Sequence, residues 1–277
     1  MQWIMFSKML GTLSVAEAGE RIREIGFEGV DLTVRPGGHV LPENALRDLP
    51  PAVETLRSLG LSVPMITTSV TAADEEHTRN IFQAAAECGI HRLKLGYWRY
   101  EGFGSMAAQI EEIKRKLEGL ARLAREYGVT ACIHCHSGPF MSADPAVVWV
   151  LLRDFDPDHL GAYIDPGHMT VEGGVAGWKM GLDLLAPHIR LMAVKSFAWF
   201  REESDGRVGW IHRLVPLREG PVRWSEVFDC LRQIGYDGPV SLHSEYQGRH
   251  SWRDLSLDEL LEQTRDDLAY IRQVAGC

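Results

Sequence analysis

A chain of 277 residues with 45% hydrophobic and 24% charged positions has an ordinary globular composition and enough length for a large core. Its formal net charge of −9 offers no global positive field for phosphates, which argues against nucleic acids and anionic membranes as partners. No apolar run is long enough to span a bilayer, MQWIMFSKML lacks the marks of a signal peptide, and the five cysteines form no matched CxxC pairs, so a cytoplasmic protein with reduced thiols is expected.

Strand-length apolar runs alternate with longer amphipathic stretches. The first strand is WIMFS (3–7), followed by a helix with Ser14 and Glu17 in capping-box spacing and Gly26 as its stop. GVDLTVR (29–35) is the second strand, with a helix over 43–59 ending at Gly60. LSVPMITTS (61–69) precedes a helix over 75–88, and RLKLGYW (92–98) precedes the clearest helix of the chain, 106–127, with Ile110, Ile113, Leu117, Leu120 and Ala124 at helical spacing. The fifth strand runs through TACIHCHSG (130–138), with a helix over 145–154; LGAYID (160–165) is the sixth, with a helix over 177–186. IRLMAVKSF (189–197) is the seventh and leads into an irregular stretch, 199–221, and a helix over 224–234. PVSLHSEY (239–246) is the eighth, and a last helix covers 256–274. Eight β-then-α units without internal repeat or domain boundary imply an α/β fold of one domain over 1–277, a closed (β/α)8 TIM barrel. KMLGTLS after the first strand is not the GxGxxG of an open dinucleotide-binding sheet.

The catalytic end of such a barrel is the C-terminal end of its strands. Polar residues facing inward there are costly unless hydrogen-bonded or ligand-bound. The strand ends supply Asp31, Arg35 and His39; Lys94, Tyr97 and Trp98; His134 and His136; Asp165 and His168; Lys195 and Ser196; and His243 and Glu245. Side-chain alternation puts His134 with His136, and His243 with Glu245, on shared faces; Cys132 lies deeper on the first of these, and Cys135 points away. A lone histidine is more often a hydrogen-bonded structural residue, and His77, His91, His159 and His188 belong to helix ends or surface.

GFEGVDL (26–32), IDPGH (164–168), Val194-Lys195 and GPVSL (238–242) resemble the sugar phosphate isomerase/epimerase superfamily of xylose isomerase-like TIM barrels along the whole chain. The resemblance implies one divalent metal at the mouth. Its family ligands are a Glu in a strand-five E-N-H motif, an Asp in a strand-six D-x-G-H motif, a strand-seven His and a strand-eight Glu. Here Asp165 and His168 keep D-x-G-H, His134-Cys135-His136 replaces E-N-H, Ala193 stands where the strand-seven His belongs, and His243 takes the strand-eight position. A triad of His134, Asp165 and His243 would suit Mn²⁺, Fe²⁺, Zn²⁺ or Co²⁺ better than Mg²⁺, with Glu245 as a fourth ligand or free base. The alternative is a barrel that has dropped its metal and keeps Lys195, His136 and Glu245 for polar binding.

The activity implied is isomerisation or epimerisation of a sugar or hydroxy-keto acid through a metal-stabilised enediolate. Glu245 is the expected base, tuned toward neutral pH, with Lys195 on the enediolate oxygen and His168 orienting a hydroxyl. Arg35, His39 and Lys94 would hold a phosphate or carboxylate, unless Arg35 and Lys94 are spent on an internal ion pair with Asp31. Trp98 and Trp199 would wall a sugar ring, and Arg201, Trp210, His212 and Arg213 would close over it from 199–221, a stretch that could equally be a surface insertion or an oligomer contact. Oligomerisation is common in the family, but nothing in the sequence sets a subunit number. Two other readings are a non-catalytic or metal-free carbohydrate-binding barrel and an endonuclease IV-like phosphodiesterase; the latter needs several zinc ions and more ligands than the strand ends supply.

Overall fold

The computed structural model describes residues 1–204 and 206–276, with Ser204 described through its backbone only. Eight parallel strands close into a barrel: β1 (Gln2–Phe6), β2 (Gly29–Val34), β3 (Ser62–Thr68), β4 (Arg92–Lys94), β5 (Thr130–His134), β6 (Leu160–Ile164), β7 (Ile189–Val194) and β10 (Pro239–Leu242). The first and last close the ring, with Gln2 opposite Pro239 and Met5 opposite Leu242. The helices α1 (Val15–Ile25), α2 (Ala45–Ser58), α3 (Thr78–Glu87), α4 (Met106–Tyr127), α5 (Pro145–Leu152), α6 (Pro166–Leu185), α7 (Trp224–Gln233) and α8 (Leu257–Ala275) follow their strands. None of them is long and apolar enough to cross a membrane.

Alternation divides the apolar residues into two cores. Trp3, Met5, Ala131, Ile133 and Cys135 face outward into the large core shared with the helices. Ile4, Met65, Cys132, Tyr163, Leu191 and Ala193 form a separate small cluster on the opposite faces, the plug of the barrel. Cys132 and Cys135 thus take the opposite faces that alternation predicts. Above the plug lies Asp31, fully buried, which accepts hydrogen bonds from Thr67 (2.7 Å), Ser241 (2.9 Å) and Tyr163 (3.4 Å) and ties β2 to β3, β10 and β6. Burial pushes its carboxyl up to about 6 even against these bonds.

Four elements differ from the sequence reading, the simplest being the last strand, expected over 239–246, which ends at Leu242. The chain leaves β4 after Lys94, so the expected strand 92–98 is cut short. The sixth helix begins at Pro166 rather than near 177, and is broken at Gly174 (φ 63°, ψ −160°). Asp165 caps it by accepting the His168 N–H at 3.0 Å, with Pro166 in the first turn. Gly167 makes that start fit, because a Cβ there would lie 2.3 Å from the Lys195 carbonyl oxygen. The stretch expected to be irregular, 199–221, is instead mostly an antiparallel hairpin, β8 (Ser196–Ser204) with β9 (Arg207–Val215), paired from Ser196–Val215 to Ser204–Arg207. Phe197, Trp199, Phe200, Val208 and Ile211 favour extended backbone, and Gly206 turns the chain at φ 70°.

Candidate active site at the barrel mouth

A cavity of about 80 Å³ opens at the C-terminal end of the strands. Phe6, Lys8, Arg35, Thr67, Lys94, Tyr97, His134, His136, Tyr163, Lys195, His243 and Glu245 line it. A pocket for a drug-sized ligand spans roughly 300–1,000 Å³, so the occupant of this one is small. Four of the lining residues are basic on a chain of net charge −9, which makes the mouth a local positive focus.

One wall is a charge network. Lys195, 2% exposed, places its ammonium 3.0 Å from Glu245 Oε2 and 3.5 Å from Asp165 Oδ2. Lys8, on the turn after β1, donates to the other Glu245 oxygen. Burial lowers the proton affinity of Lys195, but Glu245 and Asp165 outweigh it and hold the ammonium above the ordinary lysine range. Burial likewise raises Glu245, but Lys195 and Lys8 outweigh it and keep this carboxyl well below the usual range. The expected tuning of Glu245 toward neutral pH is therefore reversed, because two cations rather than apolar groups surround it.

Neutral imidazoles sit behind and beside this network. His134 Nε2 lies 3.2 Å from Asp165 Oδ2 and Nδ1 2.8 Å from the Tyr97 hydroxyl, so both ring nitrogens are engaged; burial raises the Asp165 carboxyl against the pull of Lys195. His243 Nε2 lies 2.9 Å from the Tyr163 hydroxyl, and its ring stacks on Phe6 at 4.4 Å. His243 Nδ1 is buried without a hydrogen-bond partner, 3.9 Å from Glu245 Oε2. Burial, then Lys195, push His134, His168 and His243 well below the ordinary imidazole range, and His136 falls to about 4 for the same reasons.

The other wall holds cations without anions. Lys94, at the end of β4 and 3% exposed, has its ammonium 3.6 Å from the Tyr97 ring centroid. Arg35 lies over the Phe6 ring at 5.8 Å, with Nε buried and unbonded. Neither forms the internal ion pair with Asp31, whose oxygens are taken by hydroxyl donors.

The remaining expected site residues lie elsewhere. His168 stacks behind His136 with ring centroids 3.8 Å apart and bonds Ser137 Oγ at 2.7 Å through Nδ1, so it positions the mouth without lining it. His39 is a strut, bridging Thr33 Oγ1 and the Leu10 carbonyl at 3.2 Å each. Trp98 packs in the outer core, and Tyr97 with Phe140 makes the aromatic wall instead, because β4 ends before the expected alternation reaches Trp98. Trp199, half exposed, packs against His212 on the hairpin, with Arg201 exposed opposite Trp210. Lys8, Phe6, Thr67 and Tyr163 were not anticipated; applying the strand-end rule to the first and third strands would have found Lys8 and Thr67.

The donor set does not fit the expected metal. His134 spends both ring nitrogens on hydrogen bonds, and Asp165 and Glu245 face the Lys195 ammonium where a divalent cation would need their oxygens. Ala193, in place of the family's strand-seven His, belongs to the plug. His243 keeps a free lone pair on Nδ1 and His136, whose Nδ1 donates to the Ser137 carbonyl, keeps one on Nε2, but among the described residues no three His, Cys, Asp or Glu side chains are grouped to hold a metal.

No curated protein matches the sequence. Among solved structures, a D-psicose 3-epimerase in the presence of D-fructose is similar over 100% of both chains at 17% identity and TM-score 0.71. A 3-keto-D-glucoside 4-epimerase from E. coli, in its apo form, is similar over 99% of both chains at 17% identity and TM-score 0.72. A xylose isomerase-like TIM barrel protein from Mycobacterium smegmatis, in complex with magnesium, covers 99% of this chain and 96% of its own at 17% identity and TM-score 0.69. At such identities the likeness is one of fold, and it agrees with a family model that matches residues 20–274, nearly the whole barrel. The chain belongs to the xylose isomerase-like TIM barrel family.

Proposed function

We propose that the protein is an isomerase or epimerase of a small sugar or hydroxy-keto acid, acting by proton transfer next to the substrate carbonyl. The observation that carries this reading is the pairing, in one small buried cleft, of an ionised carboxylate, Glu245, with the Lys195 ammonium and neutral imidazoles. Glu245 takes the α-proton. Lys195 stabilises the charge that develops on oxygen, an electrostatic role that a dry site strengthens. Lys8, whose side chain is 36% exposed, is the partner that yields Glu245 to the substrate. Arg35 receives a carboxylate or phosphate of the substrate, and Tyr97 and Phe6 supply apolar walls. Sugar epimerases among the structural neighbours support the reaction class. No step is routed through a metal, because the donors that would hold one are committed to Lys195 and to each other.

The test is deuterium wash-in from D₂O with D-fructose, D-tagatose and hydroxypyruvate as substrates. Incorporation at the carbon beside the carbonyl is expected for at least one, and its loss in Glu245→Gln. Binding of these compounds without any incorporation would leave a carbohydrate-binding barrel in place of an enzyme.

A further inference from the structure

Lys94 is the chemically unexplained group of the mouth. Burying an ammonium is expensive unless a carboxylate pairs with it. Lys195 has two such partners, and Lys8 shares one of them. Lys94, equally buried and lining the same cleft, has neither a hydrogen bond nor an ion pair from its ammonium among the described residues. Its backbone is fixed, since its carbonyl accepts from Thr68 Oγ1 at 2.7 Å. The nearest acidic group on that side, Asp31, already accepts from Thr67, Ser241 and Tyr163. Burial, then the Arg35 guanidinium, drive Lys94 well below the ordinary lysine range, against the opposing pull of Asp31. A desolvated lysine beside a second cation is the setting in which the amine is neutral and nucleophilic.

The geometry points to Lys94 as a nucleophile that forms an imine with the carbonyl carbon of the substrate. This rests on the sugar or hydroxy-keto acid reading above and supplies the electron sink that the donor set has no metal to provide. The Nζ lone pair attacks the carbonyl carbon, the C=O π pair moves to oxygen, and one proton passes from Nζ to that oxygen to give a neutral carbinolamine. A second proton, taken from solvent, protonates the hydroxyl, and the regained nitrogen lone pair forms C=N as water leaves. The resulting iminium acidifies the adjacent C–H, and Glu245 accepts that proton to leave an enamine. Return of the proton and hydrolysis restore the free amine and release the carbonyl product, with no net oxidation or reduction.

The experiment is reductive trapping. The protein is incubated with D-fructose, D-tagatose or hydroxypyruvate at neutral pH, treated with cyanoborohydride, digested and mapped by mass spectrometry, with deuterium wash-in followed in parallel samples. The expected result is an adduct on Lys94, heavier by the substrate mass less one oxygen, that forms before any on the exposed Lys179. Lys94→Met abolishes both this adduct and wash-in. Lys94→Arg, which keeps a long basic side chain but offers no primary amine to form an imine, does the same. Wash-in without a Lys94 adduct overturns the imine and leaves the isomerase reading intact. An adduct confined to Lys179 and other surface lysines also overturns the imine. Neither adduct nor wash-in with any of the three compounds overturns both.

Discussion

Lys195 and Lys94 close neighbouring walls of one cleft, at 2% and 3% exposure, and their surroundings are opposite. Lys195 lies between Asp165 and Glu245, so its positive charge is held and neutralised at once. Lys94 has no carboxylate beside it, only the Tyr97 ring face, and shares its wall with Arg35, so burial and the Arg35 guanidinium oppose its charge. Equal burial therefore says little about a lysine; the sign and number of its neighbours decide whether it is a fixed cation or a free amine. The barrel has room for both because Asp165 and Glu245 leave β6 and β10 on one side, while β2 and β4 deliver only Arg35, Lys94 and an Asp31 already saturated with hydroxyl donors.

Paired substitutions break the comparison most directly. Lys195→Met leaves two buried carboxylates without their shared cation and should lower unfolding free energy by about 3–5 kcal/mol. Lys94→Met removes a buried amine that has no hydrogen-bonding or ionic partner and should be neutral or stabilising, within about 1 kcal/mol. Urea denaturation of the two variants reads this out; equal losses would erase the distinction between the walls. Next in size, Glu245→Gln should lower the wash-in rate by about 10²–10⁴-fold, as loss of a general base does. Only a small change would move the base elsewhere, with His243 Nδ1 the nearest free acceptor.

Acidification tests the neutral imidazoles between the walls. Burial holds His134, His136, His168 and His243 below the ordinary range, so the unfolded chain takes up their protons first. Each contributes stability present above about pH 6.5 and lost as pH falls, about 1.4 kcal/mol per pH unit. Asp31 and Asp267, both raised to about 6, and Asp165, also raised by burial, act the other way, since the folded state takes up their protons first and gains stability as pH falls. Four histidines outweigh three aspartates, so passing from about pH 7 to about pH 5.5 should cost stability on net, measurable as a fall in Tm. A flat or rising Tm would mean that the imidazoles are charged in the folded protein.

Smaller still is Tyr97→Phe, which frees His134 Nδ1 and should cost about 1–2 kcal/mol in urea denaturation. Calorimetric titration of the wild-type protein with Mn²⁺ is expected to show the least, no binding at the mouth; tight binding that Asp165→Asn removes would mean that Lys195 gives way to metal.

Much of this site can be read from alternation alone. Counting by twos to the strand ends puts His134, Asp165, Lys195, His243 and Glu245 at the mouth, because a strand offers only two faces and the apolar residues claim the other. The rule still carries Asp165, Lys195, His243 and Glu245, up to three residues past their strands, and fails farther out. Trp98 and His39 lie beyond the last ladder bonds of β4 and β2, where loop hydrogen bonds rather than the pleat set direction, and one turns into the outer core while the other braces a turn. The hairpin is buried only at its base, at Phe197, Leu214 and Val215, and its exposed outer half carries no apolar period to mark it as strand.

By itself, the sequence determined the eight units, the two faces of each strand and the chemical types gathered at the open end, since all of these follow from periodicity within single elements. Only the closed barrel decided which charges meet. Glu245 lies 50 residues from Lys195 and 237 from Lys8, and no local pattern encodes such distances. That Lys195 meets two carboxylates, while Lys94 meets none, depends on how strands from opposite ends of the chain converge, and on an interior too dry to let solvent level the difference.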